Sequence, residues 1–477
     1  MKQLISMGEN EMRVGKNIAV FLMILSLCFL GSQCSRKFNA HKYLKKGNAS
    51  YEKGEYEKAI ADYGKALELE PKYALAYANR GLAWNKKGEY DKAIDDYDKA
   101  IDLNLEDAPT YTGRGFAWAG KGEYDKAIAD YNNALSFDPK HTFTYLHRGL
   151  VWYRKGEYDK AIADYNSALC LDPKDAPTYV GRGIVWYEKG EYDKAFADFD
   201  KALKLDPKYA LAYANKGLFW SKKGEYDKAI ADYDKAINFD PKHAPTYFGR
   251  GYAWTMKGEY DKAIADYNKA ITLDPKHALI YADRGLTWSK KGEYDKAIAD
   301  YNKSIELDPK DAVTYANRGL TWSKKGEYDK AIADYNKSIE LDPKHAATYT
   351  NRGFTWFKKG EYNKAIADYD KAVDLDSKNF VACNNKAWIL ATCPDKKFRD
   401  GRKAVELARK AVELKSSYFH LGTFAAAFAE VGKFKEAIAY QEKAIELLKQ
   451  EHGDEKESQD SIKHLDSYKA GKPWREK

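Results

Sequence analysis

The side chains of this 477-residue chain that could bind a metal or carry a reaction are its histidines, cysteines and acids, and their spacing argues against both. His141, His243, His277 and His345 each follow a Pro-Lys pair, in four different but similar segments. Side chains in equivalent places of similar segments line up along an edge rather than converge, so no shared metal is expected. Cys383 and Cys393 could bridge in an oxidising compartment, but their spacing matches no common zinc motif. Cys170 reads as a small packed side chain. No phosphate loop, Gly-x-Ser-x-Gly elbow or His-Glu-x-x-His is present. No catalytic residue, metal or cofactor is assigned.

Composition bounds what remains. Hydrophobic residues make up 44% and charged residues 32%, enough apolar material to exclude wholesale disorder. With 13 prolines, 33 glycines and 5 cysteines the chain is neither collagen-like, nor Pro/Gly-rich, nor a disulfide-built scaffold. Length alone suggests about three domains. The net charge of +8 is mild for this length. Binding to nucleic acid calls for a concentrated basic stripe, and the lysines here are interleaved with acids, so no nucleic-acid partner is expected.

Ile18 to Leu30 is a 13-residue stretch dominated by apolar side chains, preceded by Arg13 and Lys16. It is short for a bilayer span, which takes about 20 residues, and fits the apolar core of a secretory signal. Glu9 and Glu11 dilute the charge before it, and translation from Met12 would give a cleaner start. The run Leu30-Gly31-Ser32-Gln33-Cys34 resembles the lipidated cysteine of a bacterial lipoprotein, although Gly31 and Gln33 depart from the usual box. Ordinary cleavage, lipidation at Cys34 and an uncleaved anchor all fit. Residues 1–34 are therefore read as a signal peptide or N-terminal membrane anchor, 35–39 as a short linker, and the protein as exported to the cell envelope.

The excess of 38 tyrosines and 11 tryptophans has its cause in repetition. Glycine recurs every 34 residues from Gly47 to Gly353, and again seven residues later from Gly54 to Gly360. Tryptophan keeps the same period from Trp84 to Trp356. Ten units fill 40–379, and 284–310 is identical to 318–344. Within 210–243 the apolar spacing predicts helix A over about 211–222 and helix B over about 225–237. Gly224 stands where helix A must stop in a left-handed turn, and Asp227 in the first turn of helix B. Small Gly217 and Ala229 let the two backbones approach. Trp220 and Tyr233 are expected to be the buried aromatic pair of the unit. Glu293–Lys296, Lys296–Asp300 and Asp300–Lys303 read as solvated helix pairs.

The series Tyr213, Gly217, Trp220, Gly224, Tyr226, Ala229, Tyr233, Ala236, Pro241 resembles the tetratricopeptide repeat (TPR), ten times in phase. Two divergent units follow over 380–451, with Ala387 in place of the first glycine. A polar capping helix or tail follows over 452–477. The resemblance implies an all-α right-handed superhelical solenoid of about twelve helix-turn-helix units. It also implies that peptides or protein segments bind a concave groove lined by the second, fifth, sixth, ninth, twelfth and thirteenth residues of each unit. The ninth supplies Leu82, Phe116, Leu150, Ile184, Leu218, Tyr252, Leu286, Leu320 and Phe354. The fifth supplies Ala78, Thr112, Leu146, Val180, Ala214, Phe248, Ala282, Ala316 and Thr350. The sixth supplies Asn79, Asn215, Asn317 and Asn351, amides that can hydrogen-bond a peptide backbone. Lys222, Lys290, Lys324 and Lys358 form a border. The ninth-position ladder also fits packing between neighbouring A helices. The cluster of lysines and arginine with which co-chaperone members grip a terminal carboxylate, at the second, fifth and sixth positions, is missing from the ten regular units.

The expected function is a non-enzymatic scaffold for protein partners at the bacterial envelope. The alternative is an accessory or recruitment subunit of an envelope enzyme or assembly complex. Membrane contact is expected only through the N-terminal segment, and self-association through open solenoid ends is compatible with the pattern.

Overall fold

Glycine at the eighth place of a unit and an aromatic ring at the twenty-fourth set the spacing of each helix pair. A methyl group on Gly319 would lie 3.0 Å from the Tyr335 ring and 3.1 Å from the Ala331 carbonyl oxygen. On Gly183 it would lie 2.6 Å from the Phe199 ring. The rings of Tyr97, Tyr131, Tyr301, Tyr335 and Tyr369 are buried against these bare backbones.

The computed structural model describes residues 35–450 and 455–476. The signal or anchor expected over 1–34, with Cys34, lies outside them. No strand occurs among the described residues, and no described helix is long and apolar enough to cross a membrane. The chain divides after Lys223 into two units. The first holds α1 (35–52), α2 (Tyr56–Leu69), α3 (Ala74–Lys87), α4 (Tyr90–Asp102), α5 (Ala108–Gly120), α6 (Tyr124–Phe137), α7 (Thr142–Arg154), α8 (Tyr158–Leu171), α9 (Ala176–Glu188), α10 (Tyr192–Leu205) and α11 (Ala210–Lys222). The second begins with α12 (Tyr226–Phe239), α13 (Ala244–Met256), α14 (Tyr260–Leu273), α15 (Ala278–Lys291), α16 (Tyr294–Leu307), α17 (Ala312–Lys324), α18 (Tyr328–Leu341), α19 (Ala346–Lys358) and α20 (Tyr362–Leu375). It continues with α21 (Phe380–Thr392), a 3-10 turn (Lys396–Phe398), α22 (Gly401–Leu414), α23 (Tyr418–Glu430), α24 (Phe434–Gln450) and α25 (Glu455–Lys469). In each unit an A helix packs mainly on the B helix that follows it.

Turn chemistry explains the regular boundaries. Gly326, at φ 79°, ends α17, and the amides of Gly326 and Glu327 return to the carbonyls of Ser323 and Trp322. Gly224 has the left-handed φ of 76° that its place requires. At the end of α21 the place of the turn glycine is held by Pro394, and the C-terminal tail does the capping. The Glu476 amide donates to the Thr392 carbonyl at 3.0 Å, and Arg475 Nη1 to that of Ala391 at 3.1 Å. Arg475 also pairs with Glu430 at 2.6 Å, and Tyr468 of α25 is fully buried.

Three expectations are corrected. The repeated tryptophans are half-buried, not buried. Eight of the nine sit at the edge of the pair contact with a helix B lysine over the ring; Lys296 lies 4.6 Å from the Trp288 ring centre. Of the expected pair, only the helix B aromatic is buried. Asp300 is no surface partner of Lys296. It is buried and takes two bonds from Arg284, 2.7 and 2.6 Å, and the equivalent pair recurs as Arg114–Asp130, Arg148–Asp164, Arg182–Asp198, Arg318–Asp334 and Arg352–Asp368. The same arginine reaches back to the preceding helix B: Arg284 to Asn268 and Arg318 to Asn302. Glu293–Lys296 does form at the surface, at 3.4 Å. Cys170 is exposed on α8 because its place late in helix B faces outward, while Cys383 and Cys393 are buried and unbridged.

Gly319→Ala is expected to destabilise by about 1–3 kcal/mol through overpacking against Tyr335. Asp334→Ala strands the Arg318 guanidinium and is expected to cost about 3 kcal/mol. Urea unfolding followed by circular dichroism checks both; an unchanged midpoint in either variant contradicts the corresponding contact.

Candidate functional site

With Gly and Arg turned toward helix B, the opposite side of each A helix is left for the second, sixth and ninth positions. The structure leaves most of the ninth-position ladder in solvent. Leu82, Phe116, Leu150, Leu218, Tyr252 and Phe354 are exposed, Leu218 to 46%. Ile184, Leu286 and Leu320 are half-buried. The second position, seven residues earlier and so on the same helix face, also exposes apolar groups: Leu75, Phe143, Leu211, Leu279 and Val313. These side chains form an apolar row in each of the two structural units, and most of the ladder is not covered by adjacent A helices.

The fifth position behaves differently. Ala78, Thr112, Val180, Ala214, Ala282, Ala316 and Thr350 are buried, and Leu146 and Phe248 half-buried, so this position is a floor. Thr112 Oγ1 lies 2.6 Å from Thr144 Oγ1 of the next A helix. The sixth-position amides are only partly free. Asn79 donates to Asn48 Oδ1 at 3.0 Å, and Asn215 to its own helix at the Leu211 carbonyl. Among the described residues the side chains of Asn317 and Asn351 have no hydrogen-bond partner. Lys222, Lys290, Lys324 and Lys358 are exposed along the border.

In the first structural unit the row encloses a cavity of about 350 Å³ between α3, α5 and α7. Leu75, Leu82, Phe116 and Phe143 wall it, Ala78, Thr112 and Gly113 floor it, and Leu105 enters from the loop after α4. That loop has Asn104-Leu105-Glu106 where seven other regular units have Asp-Pro-Lys, and Asn104 takes a left-handed φ of 66°. Gly113 is required here, since a methyl group would meet the Tyr97 hydroxyl at 2.3 Å. Asn85 Nδ2 donates to the Gly113 carbonyl at 2.8 Å. His147 lies edge-on to Phe143 with ring centres 4.1 Å apart; burial pushes its pKa down to about 4, so it is neutral at physiological pH.

Sequence reasoning passed over two features of this face. Leu105 replaces a turn proline, and Asp283 is the one acid among the sixth positions of the ten regular units; comparing each place across all units would have exposed both. The histidines after Pro-Lys serve as helix starts. His141, His243 and His345 Nδ1 lie 2.6, 2.7 and 2.8 Å from the hydroxyls of Thr144, Thr246 and Thr348. Among the described residues no group of three His, Cys, Asp or Glu side chains is placed to hold a metal. At the far end of the second unit, Trp388 occupies the ninth position of α21 and donates Nε1 to Glu476 at 3.2 Å, so the tail closes the row there.

Family models for the tetratricopeptide repeat match residues 74–107, 108–141, 176–209, 210–243, 244–277, 278–311, 312–345 and 346–379, with further matches at 421–448. A TPR repeat model matches 47–84 and 149–190. Comparison with curated proteins returns no match. Among solved structures, yeast Tom70 is 20% identical over 84% of this chain and 96% of its own, with a TM-score of 0.41. YrrB, a TPR protein with an unusual peptide-binding site, is 27% identical over 39% of this chain and 97% of its own, at 0.34. A tetratricopeptide repeat protein from Parabacteroides merdae is 22% identical over 52% of this chain and 98% of its own, at 0.42. Proteins of this repeat type are protein-interaction scaffolds and typically non-enzymatic. Matched unit by unit over more than half its length, this chain belongs to the tetratricopeptide repeat family.

Proposed function

We propose that this protein is a non-enzymatic scaffold that holds an extended or helical segment of a partner protein along its A-helix faces, at the bacterial cell envelope. One observation carries the binding surface: apolar side chains stay exposed, in register, at the second and ninth positions of successive A helices. A folded chain leaves such rows in solvent at a cost that a partner offsets by covering them. The row is apolar with amides at Asn317 and Asn351 beside it, the mixture that suits a segment bound by side-chain burial and backbone hydrogen bonds. The absence of a basic cluster at the second, fifth and sixth positions of the regular units makes a terminal carboxylate a poor fit. Envelope location is supported by the apolar run Ile18–Leu30 with Arg13 and Lys16 before it, and by Cys34 after it.

The variant Leu82→Glu, Phe116→Glu, Leu150→Glu changes three exposed positions and is expected to keep its circular dichroism and melting temperature. Capture from envelope extracts, read by mass spectrometry, is expected to retain clients on the wild-type chain and lose them on this variant. Equal capture by both moves the binding surface elsewhere. Fractionation of cells with labelled fatty acid tests the location: label on the wild-type protein and none on Cys34→Ala places it on the membrane through that cysteine. Unlabelled protein in the cytoplasm overturns the envelope reading.

A further inference from the structure

Asp283 stands on the exposed side of α15, at the sixth position, where α13 has Gly249 and α17 has Asn317. It is half-buried, and among the described residues its carboxylate has neither a hydrogen-bond nor an ion-pair partner. Among the groups in electrostatic reach only Lys290 favours that charge, and it forms no ion pair with it. Its own helix offers Lys290, which stays beyond ion-pair distance; Asp311 at the start of α17 adds a second negative charge. Asp311 is itself engaged, accepting from the Val313 amide at 3.0 Å and from the Thr314 hydroxyl. The remaining neighbours are phenols: Tyr252 of α13, Tyr267 of α14 and Tyr301 of α16, whose ionisation the Asp283 charge opposes.

A desolvated carboxylate without a partner is costly to a fold. Here burial pushes its pKa up to about 6, so it is largely charged at neutral pH. Tyr252 is exposed beside it, in the ninth-position row. A carboxylate next to an exposed aromatic ring is complementary to a cation on an aliphatic stem: the charge meets the carboxylate, and the stem and ring cover each other.

We propose that Asp283 is a cation subsite of the A-helix face, taking the charged end of a lysine or arginine side chain of the bound segment. This rests on the reading of that face as the partner-binding surface, and adds the polarity of the partner: apolar with a basic residue, the inverse of the acidic termini gripped by basic clamps.

Two acetylated and amidated nonapeptides test it, alternating serine and leucine, with either lysine or uncharged norleucine at the centre. Binding to the full chain at pH 8 is measured by calorimetry. The lysine peptide is expected to bind about tenfold tighter than the norleucine peptide, as a charge-assisted contact would give. Asp283→Asn is expected to remove that difference and keep the norleucine affinity. Equal binding of both peptides by the wild-type chain overturns the subsite and leaves the apolar face standing. No binding of either overturns both readings. A folded Asp283→Asn that loses both peptides makes Asp283 a structural residue and overturns the subsite. Melting of the free protein is a second readout. A folded-state pKa above the unfolded value means the charge destabilises above about pH 6 and ceases to do so below the ordinary aspartate range. Asp283→Asn is therefore expected to melt higher than wild type at pH 8 and alike at pH 3. A lower melting temperature at pH 8 shows that the carboxylate has an internal partner, and overturns the proposal.

Discussion

The contact between a bare glycine backbone and a buried aromatic ring is the constraint on which the rest of the structure depends. A ring lying 2.6–3.0 Å from where a side chain would begin, as at Gly183 and Gly319, leaves no room for any residue but glycine unless the pair moves apart. Because the ring comes from helix B, the contact fixes the rotation of both helices at once. Repetition multiplies the effect. The contact recurs from Gly47 to Gly353 in nine of the ten regular units, and neighbouring units stack on the faces it leaves apolar.

Charge then fixes the register between units. The arginine one residue before the glycine emerges from the close contact, where a buried aspartate of its own helix B and an aspartate or asparagine of the preceding helix B converge on it. Such a bidentate pair is costly to bury and costlier to break, so it opposes slippage more than it adds stability. Where lysine replaces arginine the fork is lost: Lys216 and Lys386 reach back to Asp200 and Asp370, and Lys46 bonds Asp62 of its own helix B. The surface lysines over the tryptophans are a weaker layer of the same pattern, a cation on a half-exposed ring.

With glycine and arginine committed to helix B, each A helix has one side left over, and this is the candidate site. The small fifth position packs between neighbours and keeps the A helices close. The second and ninth positions project beyond it. Variation falls where packing does not forbid it. Gly113 and Leu105 open a cavity in the first unit, Asp283 places a charge in the second, and the tail over α21 ends the row with its own Trp388–Glu476 contact.

The helix pairs, their boundaries and their family were legible in the sequence, because a 34-residue period repeats every local signal ten times and turn glycines act through backbone sterics alone. The ninth-position ladder was legible as a set, but not whether Leu218 or Phe116 lay inside or out. Helical spacing puts a residue on a face; only the neighbouring helices decide whether that face is covered. The same limit hid the buried role of Asp300, sixteen residues from Arg284 and seemingly paired with Lys296 nearby. It hid the half-exposure of the tryptophans, since a large ring reads as core until its neighbours fail to close over it. Asp283 carried a signal in the sequence, the one acid at its place in ten regular units. Its want of a partner was decided in three dimensions, by the distance at which α15 holds Lys290 and by the phenols that α13, α14 and α16 bring to its side.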